Sequence, residues 1–90
     1  MKNERIRQSH TIAWRDLEGE SVLIDPSSGT VFVLNEVGSR IWQLLESPTT
    51  PTALEEQVAA DHQRPTAHVR EDVAEFLDAL SNRRLIENVE

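Results

Sequence analysis

The chain changes its hydrophobic period between Val31 and Leu45. Val31, Phe32, Val33 and Leu34 form an unbroken apolar run, rich in β-branched and aromatic residues and short enough for a strand. Asn35 breaks the run and can cap a helix, because its side-chain oxygen accepts an N–H from the first turn. Val37, Ile41, Leu44 and Leu45 then recur at i, i+4, i+7 and i+8, which predicts a helix over 36–45 whose apolar stripe shares a core with the strand. Upstream lie two weaker apolar segments. Residues 11–17 set Ile12 and Trp14 on one parity and Ala13, Arg15 and Leu17 on the other, and residues 21–25 hold Val22, Leu23 and Ile24. Glu18-Gly19-Glu20 and Asp25-Pro26-Ser27-Ser28-Gly29 supply the turns, since proline presets φ and glycine takes positive φ without strain. Three strands joined this closely predict an antiparallel meander.

Downstream, Pro48 and Pro51 end the first helix, and Thr52 with Glu55 matches a capping box. The second helix is expected to run to about His62 with a thin inner edge of Leu54, Val58, Ala59 and Asp61. Pro65 forbids its continuation. Thr66 is placed to cap the third helix, in which Val69, Val73, Phe76, Leu77 and Leu80 make a continuous stripe opposite Glu71, Glu75 and Asp78. Arg83 and Arg84 fall in its last turn, where cations suit the helix dipole. Leu85, Ile86 and Val89 follow as a short closing strand or as a segment tucked onto the core. Residues 1–10 show no period and are expected to form a flexible tail before a single domain over 11–90. The predicted class is α+β, a three-stranded antiparallel sheet followed by three helices.

Composition narrows the function. The 90 residues carry 16 acidic against 9 basic side chains, net −7. Phosphate neutralisation dominates nucleic-acid affinity, so this balance opposes a nucleic-acid partner. Cysteine is absent, which removes disulfides and thiolate chemistry. The N-terminus has no apolar signal core, and no apolar run approaches the ~20 residues that span a bilayer. A cytoplasmic protein without a membrane partner is expected.

Catalytic constellations are missing. His10, His62 and His68 have no i, i+4 pairing and no cysteine to complete a zinc site. Gly19, Gly29 and Gly38 are too far apart for a phosphate loop. Ser27 and Ser28 lack a G-x-S-x-G context and are explained by their turn. The carboxylates decorate solvated helix faces. No enzyme activity, metal or cofactor is expected. A binding role remains, and the strand over 31–34 leaves two readings open. Either both of its faces are covered, for instance by the N-terminal segment, or Val31 and Val33 border a groove where an extended peptide adds to the strand edge. Trp14 and Trp42 read as core residues before pocket walls.

Residues 25–45, DPSSGTVFVLNEVGSRIWQLL, resemble the PqqD-like family, which shows an aspartate–turn–glycine, a strand ending in Leu-Asn, and a helix with Gly, Ile, Trp and paired Leu where this chain has Gly38, Ile41, Trp42, Leu44 and Leu45. A second family motif is matched by Asp72, Val73, Phe76, Leu77 and Leu80, and a third by Leu85 and Ile86, with Arg84 where glycine is common. The resemblance covers about residues 11–87. It implies a winged helix-turn-helix-like recognition element for ribosomally made, modified peptides. Such a protein is a peptide chaperone that binds the leader of a precursor and presents it to a modifying enzyme of the same cluster, a protease or a radical enzyme. The leader would add as a strand along Val31, Phe32 and Val33, against a wall of Val69, Asp72, Val73, Phe76 and Arg83. The resemblance favours a lasso-peptide precursor over a pyrroloquinoline-quinone (PQQ) one. From other classes, a DNA-binding winged helix and a dimeric interaction module are the rivals, and a monomer or weak homodimer is expected.

Overall fold

The computed structural model describes residues 4–89. Along them run β1 (Arg5–Gln8), β2 (Ala13–Leu17), β3 (Glu20–Asp25), β4 (Thr30–Val33), α1 (Glu36–Leu44), α2 (Pro51–His62), α3 (Thr66–Asn82) and β5 (Ile86–Val89). The class is α+β. β2, β3 and β4 make an antiparallel sheet in chain order, and β1 pairs with β5 in a second, two-stranded one.

Turn chemistry sets the register of the larger sheet. Glu18 and Gly19 both take positive φ, 53° and 89°, the two-residue hairpin geometry that follows the twist of its strands. In the β3–β4 turn, Asp25 Oδ1 accepts from the Ser27 N–H at 3.0 Å and from Ser27 Oγ at 2.7 Å. Those bonds, the side-chain one first, hold the Asp25 carboxyl below its usual pKa. Gly29, at φ 74°, closes the turn onto the Asp25 carbonyl at 2.7 Å. The pairing puts Trp14, Leu23 and Phe32 in one row toward the core, and Ala13, Ile24 and Val31 in a row on the other face.

One rung of this sheet runs through a side chain. Leu34 donates its N–H to the Ser21 carbonyl at 2.9 Å. The reciprocal bond is replaced by a relay, in which the Ser21 N–H donates to Ser39 Oγ at 2.6 Å and Ser39 Oγ donates to the Leu34 carbonyl at 3.1 Å. Both serines are buried. The relay joins the end of the sheet to the first turn of α1, whose start is capped by Asn35 accepting from the Gly38 N–H at 2.8 Å.

The helices close over the inner row. Leu23, Ile41, Trp42, Leu45, Leu54, Val58, Val69, Val73, Leu77, Leu80 and Leu85 are buried together. Trp14 meets Trp42 edge to face at 6.3 Å between centroids, an arrangement that adds on the order of 1 kcal/mol beyond area burial. Several helix details differ from the sequence expectations: Arg83 and Arg84 follow α3 rather than fill its last turn, and Asp61 is exposed rather than on the inner edge of α2. Val37 is exposed, so α1 turns Gly38, Ser39, Ile41 and Trp42 inward. α2 starts at Pro51 and is capped by Thr50, whose hydroxyl accepts from the Ala53 N–H at 3.1 Å, because proline fits the first helical position. Thr52 therefore lies inside the helix and forms no capping box. Thr66 is the first residue of α3, and Pro65 precedes it without a side-chain cap.

Part of the expected tail is a strand. Residues 1–3 lie outside the described residues, but Arg5–Gln8 pair with Ile86–Val89. On its other side β1 exchanges two bonds with Thr49, Ile6 N–H to Thr49 carbonyl at 2.7 Å and the reverse at 2.9 Å. Gln8 donates its N–H to the Leu45 carbonyl at 2.9 Å and its Nε2 to the Trp42 carbonyl at 2.8 Å, satisfying carbonyls at the end of α1. Ile6 is buried, and Arg7 grips Glu87 at 2.9 Å. That contact is the main reason the Glu87 carboxyl sits below its usual pKa.

α3 ends in a Schellman motif. The Leu85 N–H reaches the Leu80 carbonyl at 2.9 Å, with both leucines buried and Arg84 between them at φ 59°. A non-glycine residue is strained in that left-handed position by about 1 kcal/mol. Arg84→Gly is therefore expected to raise stability by ~0.5–1 kcal/mol, read as a higher urea midpoint at unchanged slope. A lower midpoint would show that the Arg84 side chain has a stabilising contact.

Candidate functional site

The candidate site begins with what β4 leaves unpaired. Antiparallel rungs alternate between bonded and non-bonded pairs. Because Leu34–Ser21 is bonded, so are Phe32–Leu23 and Thr30–Asp25 in the observed register. The N–H and C=O groups of Val31 and Val33 therefore point away from β3, along the open edge of the sheet. Their side chains are 56% and 62% exposed. β1 does not cover them, since it pairs with β5 and Thr49. β2 forms the opposite edge, but it carries Arg15 and Asp16, charges of the kind that discourage strand addition. β4 has no charge from Thr30 to Leu34.

Two clusters flank this edge. Arg83, at the end of α3, lays its guanidinium 5.2 Å from the centroid of the half-buried Phe32 ring, a favourable cation–π geometry. Just past the end of the strand, at Asn35, a cavity of about 570 Å³ opens between the start of α1, the end of α2 and the first half of α3. Its apolar lining includes Val37, Ile41, Val58, Val69, Val73 and Phe76, and its polar lining Asn35, His62, Arg64 and Asp72. Gly38 is required here by close approach. A Cβ at that position would stand 3.0 Å from Phe76 Cε1 and 3.2 Å from Asn35 Oδ1, so the missing side chain lets Phe76 lie against α1. A smaller recess beside Glu36 and Val37 is bounded by the Arg40–Asp61 pair at 2.9 Å. The Arg40 hydrogen bond, followed by one from Gln57, lowers the Asp61 pKa.

The residues expected from the sequence thus fall in two groups. Val31, Phe32, Val33 and Arg83 meet at the strand edge, and Val69, Asp72, Val73 and Phe76 line the cavity. Val69 and Val73 are buried and face the cavity as its floor. Sequence reasoning missed Val37, Val58, His62 and Arg64 as lining. The available signal was the thin stripe of α2, which has no large apolar residue after Val58 to fill the space beside Gly38. On the far face of the sheet, Leu17, Ile24, Val31 and Val33 make an exposed apolar surface. No cluster of three potential metal-ligating side chains occurs among the described residues, and none of their helices is long and apolar enough to cross a membrane.

The family described as coenzyme PQQ synthesis protein D (PqqD) matches residues 20–86. Among solved structures, TbiB1 in complex with the TbiA(beta) leader peptide is 33% identical, with a TM-score of 0.84 over 93% of this chain and 98% of that one. A lasso peptide synthetase B1 complexed with its leader peptide matches at 20% identity, TM-score 0.79, over 91% and 96% of the two chains. The PqqD truncation of Methylobacterium extorquens PqqCD, described as a functional, stand-alone recognition element, matches at 19% identity, TM-score 0.74, over 92% and 88%. The latter two likenesses speak for the fold. No curated protein matches the chain.

Proposed function

The chain belongs to the PqqD family, and we propose that it is a non-catalytic recognition element that binds the leader of a ribosomal precursor peptide by strand addition to β4 and presents it to a modifying enzyme in the cytoplasm. The observation that carries this reading is the uncharged, open edge of β4, with the main-chain groups of Val31 and Val33 turned outward between Arg83 and the cavity. An extended peptide there gains main-chain bonds from the edge and specificity from alternate side chains. Half of those side chains face α3, where Phe76 and the floor of Val69 and Val73 favour apolar groups and Asp72 favours a basic one. The other half join the exposed face of Ile24, Val31 and Val33, the side left open to an approaching enzyme. The recognition domain is taken to include β1, because Ile6 and Gln8 are tied into α1 and the core. A lasso-peptide precursor is the favoured cargo, ahead of a PQQ precursor. Its support is a leader-bound relative at 33% identity and a lasso peptide synthetase B1 with the same fold.

Titrating labelled protein with the leader peptide encoded beside its gene tests the reading. Amide shifts concentrated at residues 30–34 and along 69–83 are expected. A folded protein whose spectrum does not change would overturn it.

A further inference from the structure

We infer that Arg83 sets part of the leader specificity by selecting an acidic side chain at the leader position opposite Phe32. This inference rests on strand addition at β4.

Three observations lead to it. First, Arg83 is held in place without being neutralised. Its guanidinium carbon lies 5.2 Å from the centroid of the Phe32 ring, a cation–π contact that leaves its N–H donors available to a carboxylate. Among the described residues, Arg7, Arg40 and Arg70 pair with Glu87, Asp61 and Glu55. Arg83 has no such partner and stands next to Arg84, making a positive spot on a chain of net charge −7.

Second, the register fixes which leader residue meets it. Phe32 spends its own N–H and C=O on Leu23, so on the free edge it occupies a non-hydrogen-bonded site. Opposite residues approach most closely at such sites, with Cα atoms about 4.5 Å apart, and their side chains share one face. The incoming side chain opposite Phe32 therefore projects on the face that Arg83 covers. A carboxylate, which a guanidinium can grip bidentately, is the side-chain group that Arg83 recognises best there.

Third, the charges along α3 give the bound strand a polarity. Asp72 lines the cavity near Asn35, where β4 ends, and Arg83 covers the middle of β4. The two lie 11 residues apart on the helix, which is about 16 Å at 1.5 Å per residue and the span of about five extended residues. A strand running antiparallel to β4 enters at the cavity and leaves past Arg83. Its acidic residue then lies two positions C-terminal to the residue opposite Leu34, and any basic residue attracted by Asp72 lies nearer its N-terminal end.

A charge-swap experiment tests the assignment. The leader encoded beside the gene, and variants in which each acidic residue is replaced singly by lysine, are titrated by fluorescence anisotropy into wild type, Arg83→Gln and Arg83→Glu, each checked for folding by circular dichroism. One lysine replacement is expected to weaken wild-type binding about tenfold. Arg83→Glu should lose a similar factor with the unmodified leader and recover to within about threefold with that one lysine variant. Arg83→Gln should bind the two peptides about equally. If the leader binds but contains no acidic residue in the bound strand, or no lysine variant is rescued by Arg83→Glu, the assignment to Arg83 falls and leader recognition stands. If the unmodified leader does not bind folded wild type, both fall.

Discussion

Val33→Pro is expected to weaken leader binding by about 100-fold or more in a protein that stays folded. The two halves of that expectation have the same cause. The Val33 N–H points along the open edge and makes no bond to β3, so proline removes no internal rung. What it removes is a donor to the incoming strand, and its ring obstructs the approach of that strand. Leu34→Pro is the contrasting change one residue on, because the Leu34 N–H is bonded to the Ser21 carbonyl at 2.9 Å. It is expected to cost about 3 kcal/mol of stability. Urea unfolding and leader titration of both variants make the comparison. Near-wild-type affinity in a folded Val33→Pro protein would exclude strand addition at this edge.

Two buried serines are expected to respond in opposite ways. Ser39→Ala removes the hydroxyl that joins the Ser21 N–H to the Leu34 carbonyl and leaves both groups without a partner. A stranded buried polar group costs about 1–3 kcal/mol, so a loss of about 2–3 kcal/mol is expected, a large part of the total stability of a small domain, on the order of 5 kcal/mol. The Ser21 hydroxyl is equally buried but has no hydrogen-bond partner. Ser21→Ala should therefore change stability by less than about 0.5 kcal/mol or raise it, since deleting an unpaired buried hydroxyl removes a desolvation penalty. Chemical denaturation of the two variants measures the difference. Equal losses would show that the relay does not hold the sheet to α1.

What the sequence made legible follows from the range of the interactions involved. The β2–β3–β4 meander and α3 were readable because turn glycines and an unbroken stripe from Val69 to Leu80 are local signals. The Asn35 cap was readable for the same reason. β1 was not, because it carries one apolar residue, Ile6, and finds its partner strand some 80 positions away, as the Arg7–Glu87 contact shows. The cap of α2 was misplaced by two residues, since both Thr50 and Thr52 can accept and only the backbone at Pro51 decides between them. At the site, the strand edge was visible as an apolar run with no charge. The cavity was not, because it is the space left where α2 runs out of large side chains beside Gly38. Emptiness between helices has no residue to announce it. The side-chain relay through Ser39 was hidden similarly, since a serine in the first turn of a helix ordinarily reads as solvent-facing.

The shortness of β4 carries a kinetic consequence. Only Val31 and Val33 offer outward main-chain groups, so an added strand forms about four ladder bonds, each contributing a net ~0.5–1.5 kcal/mol. A sum of roughly 2–6 kcal/mol corresponds by itself to affinities between tens of millimolar and tens of micromolar. On the proposed strand addition the ladder would set direction and register, and side chains in the cavity and at Arg83 would supply the dwell time. Differences in affinity between related complexes lie mostly in dissociation rate. A peptide that has lost those side-chain contacts, by cleavage or by displacement, therefore leaves quickly. On that reading the protein is then free for another precursor.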